Sequence, residues 1–211
     1  MITKKPFATI SYNSQKFLKA ILDSMVEERY IEFYIFINHY PEEDEKKEHI
    51  HLYVIPSGKI DTEDFRERLI EVTPDNPLPL RSLPCVSSKF ADWYLYALHD
   101  KDYLMTKLES RKYHYNKEAL LYSDEEYFTQ YLHTTDFSKY KRLSRFKEMV
   151  LSGVPFDLLV ANGFIPPQLV YQYSKTYESI LNSKNMDIET ILTGEVTDRG
   201  DRDSHEELPF N

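Results

Sequence analysis

A single cysteine, Cys85, among 211 residues excludes an internal disulfide framework and any zinc site built from several cysteines. It suits a reducing, cytoplasmic setting. No apolar run approaches the ~20 residues that a membrane-crossing helix needs, and the opening MITKKPFATISYN lacks the apolar stretch of a secretory signal. No membrane partner is therefore expected, and no internal repeat is seen. Histidine is scarce as well, at seven. The formal net charge of -9 argues at first against a nucleic-acid partner. Its distribution weakens that argument. Residues 186–211 carry -6 and the segment EEDEKKE, 42–48, carries -3, which is the whole imbalance. The remainder is neutral and allows local basic patches.

Hydrophobic residues at 41% and aromatics at 14% suffice for a core, and the length suits one domain with a small appendage. FATISY, 7–12, reads as a strand. Ser14 is a candidate N-cap for a helix over 15–29, with Phe17, Leu18, Ile21, Leu22, Met25 and Val26 at helical spacing. IEFYIFINH, 31–39, is β-branched and aromatic and reads as a buried strand. HIHLYVI follows the acidic segment closely enough to complete an antiparallel hairpin. Asp61 or Thr62 caps a helix expected to run to about Val72, with Phe65, Leu69 and Val72 inward. Three prolines then break the chain, and Pro84 confines any strand over 80–87 to a sheet edge. A helix over about 89–98 comes next. This mixture suits an α+β sandwich with a mainly antiparallel sheet.

Two of the seven histidines stand in EHIHLYVIPSG, 48–58. Alternation along a strand puts His49 and His51 on one face and Ile50, Leu52 and Val54 on the other. They are either structural histidines with local partners or ligands. The hairpin bears on that choice, because His39 closes one strand where His49 opens the next. Three imidazoles can then converge, with Glu42 or Asp44 as a source of oxygen. Neutral imidazole suits many divalent metals, and an added carboxylate with open water positions favours Mn²⁺ or Mg²⁺ over a closed zinc site. In a run of five acids, however, most are simply solvated.

An open metal site invites a nucleophile. In ADWYLYALHDKD, 91–102, a continuous helix places Asp92, Tyr96, His99 and Asp100 on one face. Phe90, Tyr94 and Leu98 fall elsewhere and can pack on a sheet. Spacing alone does not set Tyr96 apart from the other tyrosines, of which there are 17 in all.

The three motifs together resemble HUH-class endonucleases, and in particular the RepB-type rolling-circle plasmid replication initiators. His39-Tyr40-Pro41-Glu42 resembles the family's His-x-x-Asp metal motif, and His49-Ile50-His51 matches the HUH pair. Tyr96 takes the nucleophile's place 45 residues after His51, and Tyr115-Asn116-Lys117 resembles a Tyr-Asp-Lys turn. The likeness covers most of the first 130 residues. It implies an HUH fold, with an RRM-like or ferredoxin-like antiparallel core flanked by helices, over 1–130. It also implies a small all-α oligomerisation domain over 131–185, while the polar, acidic composition of 186–211 reads as a disordered tail. His39, His49 and His51, with Glu42 as a fourth ligand, would hold Mn²⁺ or Mg²⁺. Tyr96 would attack a phosphodiester of origin DNA, giving a 5′-phosphotyrosine and a 3′-OH primer. His99 and Asp100, within about one turn of Tyr96 by spacing, are candidate supporting acid or base groups. A homo-oligomer, a ring in such initiators, would work with host replication machinery.

DFSKYKRLSRFKEMVLSG, 136–153, carries Lys139, Lys141, Arg142, Arg145 and Lys147. It reads either as a DNA-contacting helix or as an amphipathic helix with a basic solvent face. Beyond it, two helices are expected, broken at Gly163 and Pro166-Pro167. Three alternatives compete with a replication nickase. A relaxase or transposase shares the chemistry, although relaxases usually place the tyrosine before the histidines. A histidine-triad phosphohydrolase needs a third alternate histidine where Tyr53 stands, and a DNA-binding regulator would have an inactive site.

Overall fold

A computed structural model describes residues 1–40, 48–74, 77–109, 111, 113–182 and 195–197. The acidic segment from Pro41 to Lys47 lies outside the described residues, and so does the tail apart from 195–197.

The chain forms two compact units. The first comprises residues 1–98 and 115–135 and is built on a five-stranded antiparallel sheet. Its strands in chain order are β2 (Phe7–Ser11), β3 (Ile31–His39), β4 (His49–Pro56), β6 (Val86–Ser87) and β8 (Leu121–Tyr122), and they lie side by side as β6-β2-β4-β3-β8. Two further short strands, β1 (Ile2–Thr3) and β5 (Ile60–Asp61), pair with each other. β3 and β4 form the predicted hairpin, with Ile37 opposite His51 and His39 opposite His49.

Alternation along these strands feeds two cores. Tyr34, Phe36, Ile50, Leu52 and Val54 pack with Leu18, Leu22 and Met25 of α1 (Gln15–Glu27) and with Phe65 of α2 (Thr62–Arg68). Phe33, Ile35, Ile37, Tyr53 and Ile55 pack on the other face. Their partners there are Phe90, Trp93 and Ala97 of α3 (Phe90–Ala97) and Phe128 of α5 (Glu125–Thr134). A sheet covered on both sides explains why IEFYIFINH is apolar almost throughout rather than alternating. Ser14 caps α1 as expected, accepting from the Phe17 N–H.

α2 is shorter than its apolar spacing predicts. It ends at Arg68, and Val72, expected inward, is 66% exposed. The Leu69 carbonyl accepts from Asn13 Nδ2, and Pro74 disfavours helical geometry at the residue before it. The edge position predicted for the proline-bearing segment holds, with β6 lying outermost beside β2.

The second unit comprises residues 99–114 and 136–197. It contains α4 (Lys101–Lys107), α6 (Ser138–Leu151), α7 (Phe156–Ala161) and α8 (Val170–Leu181), around Phe146, Val150, Leu159, Ile165, Tyr173 and Ile180. α7 and α8 are the two helices predicted around Gly163. That glycine adopts φ +69 and ends α7, with Gly163 N–H donating to Val160 and Phe164 N–H to Leu159. This left-handed turn favours glycine because it has no Cβ to clash. In the tail, β9 (Glu195–Thr197) pairs with β7 (Tyr113–Tyr115). Among the described residues the chain passes between the units three times, and α4 packs on α6 within the second.

Eight α-helices are described, and none is long and apolar enough to cross a membrane. Leu52 is fully buried in mid-β4, so Leu52→Ala should cost about 2–5 kcal/mol, the usual range for emptying such a site. Equilibrium denaturation measures this. A loss under about 1 kcal/mol would mean that the β4 core is not packed as described.

Candidate metal centre

His39 is the last residue of β3 and His49 the first of β4, and they face each other across the ladder. His51 lies two residues along the same face. The hairpin therefore gathers three imidazoles at one sheet end. Their ring centroids are 5.3 Å (His39–His49), 4.4 Å (His39–His51) and 5.0 Å (His49–His51) apart. One nitrogen from each lies within 4.8 Å of the others. Rings at 4% and 5% exposure, His39 and His51, sit beneath a half-buried His49, so the group is seated in protein yet reachable from solvent.

The donor chemistry fits a divalent ion. Three neutral imidazoles supply lone pairs without adding buried charge, and three protein ligands leave positions open for water or substrate. His39 also has the outer-shell partner typical of a metal ligand. Its Nε2 donates to the Ala97 carbonyl at 2.7 Å, and its ring stacks on Tyr115 with centroids 4.2 Å apart and planes 3° from parallel. Tyr115 is itself tied down where its N–H donates to the Leu98 carbonyl at 3.0 Å.

Tyr96 approaches from α3. Phe90, Trp93 and Ala97 turn into the core, which leaves Tyr96 half-buried at the margin. Its ring meets that of His51 edge to face, with centroids 5.4 Å apart. Tyr94 packs against the core, as its spacing predicts. The structure thus brings together His39, His49, His51 and Tyr96. Glu42 and Asp44 lie outside the described residues.

His99 and Asp100 do not share the Tyr96 face as expected. α3 ends at Ala97, and His99 adopts a left-handed φ of +50. His99 Nδ1 donates to the Tyr113 carbonyl at 2.8 Å, and the His99 carbonyl accepts from His114 Nδ1. Asp100 instead caps α4, where Oδ1 accepts from the Tyr103 N–H at 2.9 Å. The continuous helix expected from spacing is interrupted because an aspartate offers a better start for a new helix than a mid-helix position.

The basic helix also divides. Lys139, Lys141, Arg142 and Arg145 are exposed on α6, and none is engaged in an ion pair among the described residues. Lys147 is not part of that surface. It is 8% exposed, its Nζ donates to the Thr106 carbonyl at 2.6 Å, and burial pushes its ammonium below the usual lysine range, helped by Lys107.

Sequence reasoning missed the Ala97 carbonyl altogether, since a backbone acceptor leaves no signature beyond a small residue near a helix end. Tyr115 was visible only as part of a turn. Comparison of the chain with protein-family models, with curated proteins and with solved structures returned no match.

Burial raises the Asp100 carboxyl above its ordinary range, with Asp102 adding to the shift and the Tyr103 N–H opposing it. The native state therefore holds this proton more tightly than the unfolded chain does. Its contribution to stability is full below the ordinary value near 3.9 and declines as pH rises through the native one. Asparagine caps equally well and cannot ionise. Relative to wild type, Asp100→Asn should therefore gain stability progressively from about pH 4 to pH 7. Thermal unfolding across that range checks this, and a variant that loses ground as pH rises would contradict it.

Proposed function

We propose that this protein is a single-strand DNA endonuclease of the HUH class that starts rolling-circle replication by nicking an origin. The observation that carries the reading is the seating of the Tyr96 phenol beside three convergent imidazoles at one end of the β3–β4 hairpin. A tyrosine and a metal-ligand set on separate elements, meeting at a half-exposed margin, form an arrangement that suits attack on a phosphodiester.

His39, His49 and His51 would hold the ion, with Glu42 or Asp44 as the proposed fourth donor. Three imidazoles favour a transition-series ion such as Mn²⁺ over Mg²⁺ on donor softness. When bound, a divalent ion supplies Lewis-acid polarisation of a phosphate and neutralises its developing charge. Tyr96 Oη attacks phosphorus as its proton passes to water. The bond from phosphorus to the 3′-oxygen breaks, and that oxygen takes up a proton. The products are a 5′-phosphotyrosine and a 3′-OH end able to prime synthesis.

The exposed cations of α6 add a second contact with the DNA backbone. The helical unit serves self-association, for which Leu158, Tyr171 and Leu181 offer exposed apolar surface. A relaxase or transposase would use the same four residues, and only the DNA it cuts would separate it. A histidine-triad hydrolase is disfavoured by Tyr53, which occupies the third alternate position and is 1% exposed within the core.

With supercoiled plasmid carrying the protein's own origin and Mn²⁺, wild type should yield nicked circles with protein attached at the 5′ end. Tyr96→Phe should reduce the attached product at least about 1000-fold while still binding DNA. Attachment by Tyr96→Phe at the wild-type rate would end this reading. Replacing Lys139, Lys141, Arg142 and Arg145 with alanine should lower the salt dependence of DNA binding. The log–log slope should fall by about 0.7–0.9 for every phosphate that is no longer neutralised. An unchanged slope in fluorescence anisotropy titrations would remove α6 from the interface.

A further inference from the structure

We infer that Tyr115 and the Ala97 carbonyl are the positioning pair for His39, holding it as the tautomer protonated at Nε2 so that Nδ1 is the atom offered to a cation. The inference rests on the metal reading of the three histidines and goes beyond it by giving a role to two groups that are not ligands themselves.

Three observations converge. First, a carbonyl oxygen can only accept, so the 2.7 Å contact between His39 Nε2 and Ala97 O requires the proton to sit on Nε2. Second, that carbonyl belongs to the last residue of α3, where the helix has no further N–H to offer. A helix-terminal carbonyl also carries partial negative charge, which strengthens its hold on a donor. The Ala97 side chain is only a methyl group and is fully buried, so the backbone can come this close. Third, Tyr115 lies flat on the imidazole at 4.2 Å and 3°, which fixes the plane of the ring and not just one atom. The hydrogen bond sets which nitrogen is protonated, and the stack sets where the other points.

The consequence is mechanical. Ala97 follows Tyr96 directly, so the residue that holds a ligand and the residue that carries the nucleophile are adjacent on one helical turn. Moving α3 would move both. Ligand orientation and phenol placement are then coupled through one helix.

The stack requires an aromatic ring at 115 and makes no use of the hydroxyl. The full chain would be titrated with Mn²⁺, free ion being read by its electron paramagnetic resonance signal, for wild type, Tyr115→Phe and Tyr115→Leu. Tyr115→Phe should bind within about 2-fold of wild type. Tyr115→Leu should bind about 10–100-fold more weakly, the range for losing an outer-shell partner of a metal ligand. In the metal-free wild type, ¹⁵N-histidine spectra, with the His39 signal assigned by its absence in His39→Gln, should show a proton on Nε2 and none on Nδ1. Leucine binding as well as tyrosine would overturn the role of the stack, as would phenylalanine binding as weakly as leucine. A His39 protonated on Nδ1 alone would overturn the role of Ala97, a result read in the wild-type protein with His39→Gln serving only for assignment. If wild type takes up no Mn²⁺, the metal reading itself fails, a result distinct from any difference among the variants.

Discussion

A one-residue slip between Ile31–His39 and His49–Pro56 would send every side chain of one strand to the opposite face of the sheet. The register that prevents it is enforced twice, because both faces of this hairpin are buried. Tyr34, Phe36, Leu52 and Val54 must meet α1 and α2, while Phe33, Ile35, Tyr53 and Ile55 must meet α3 and α5. A slipped strand would not trade a good face for a polar one. It would mismatch two cores at once. His39, His49 and His51 ride on this constraint, since they continue the α3-facing row beyond the last apolar residues. Their convergence is thus a by-product of packing that would be needed with or without a metal.

The second element of the site depends on where a helix stops. α3 is amphipathic in an unusual sense, because its buried side carries Phe90, Trp93 and Ala97 and its margin carries Tyr96. Ending at Ala97 exposes a carbonyl at the one point where His39 can donate to it. Had the helix run on through His99 and Asp100, that carbonyl would have been consumed by the next turn. The break at Asp100, a capping residue for α4, is therefore as relevant to the histidine site as the histidines are. Charge is distributed just as locally. A chain of net charge -9 still presents four exposed cations on one helix, because its imbalance lies in two short segments.

The hairpin, the Ser14 cap, the edge placement of β6 and the Gly163 break all follow from local chemistry and appear as expected. The Val72 position failed because an Asn13 side chain, distant in sequence, takes the Leu69 carbonyl that a longer helix would have used. Lys147 failed because spacing cannot tell a cation on a solvent face from one whose stem is buried and whose ammonium finds a carbonyl at Thr106. His99 and Asp100 failed because helical periodicity was extended across a residue that prefers to begin a helix. Residues 99–114 joined the helical unit because α4 buries Leu104 and Met105 there, a preference no composition shift announces.

The sequence by itself determined which residues could meet. Strand alternation and a short connection place His39, His49 and His51 on one face, and helical period places Tyr96 off the core, since both follow from backbone geometry that each local segment carries with it. Tertiary structure alone decided how they are held. The Ala97 carbonyl, the Tyr115 ring and the burial of Lys147 involve partners 58, 76 and 41 residues apart. Such contacts form only when separate elements pack, and no period or motif along the chain encodes the distance between them.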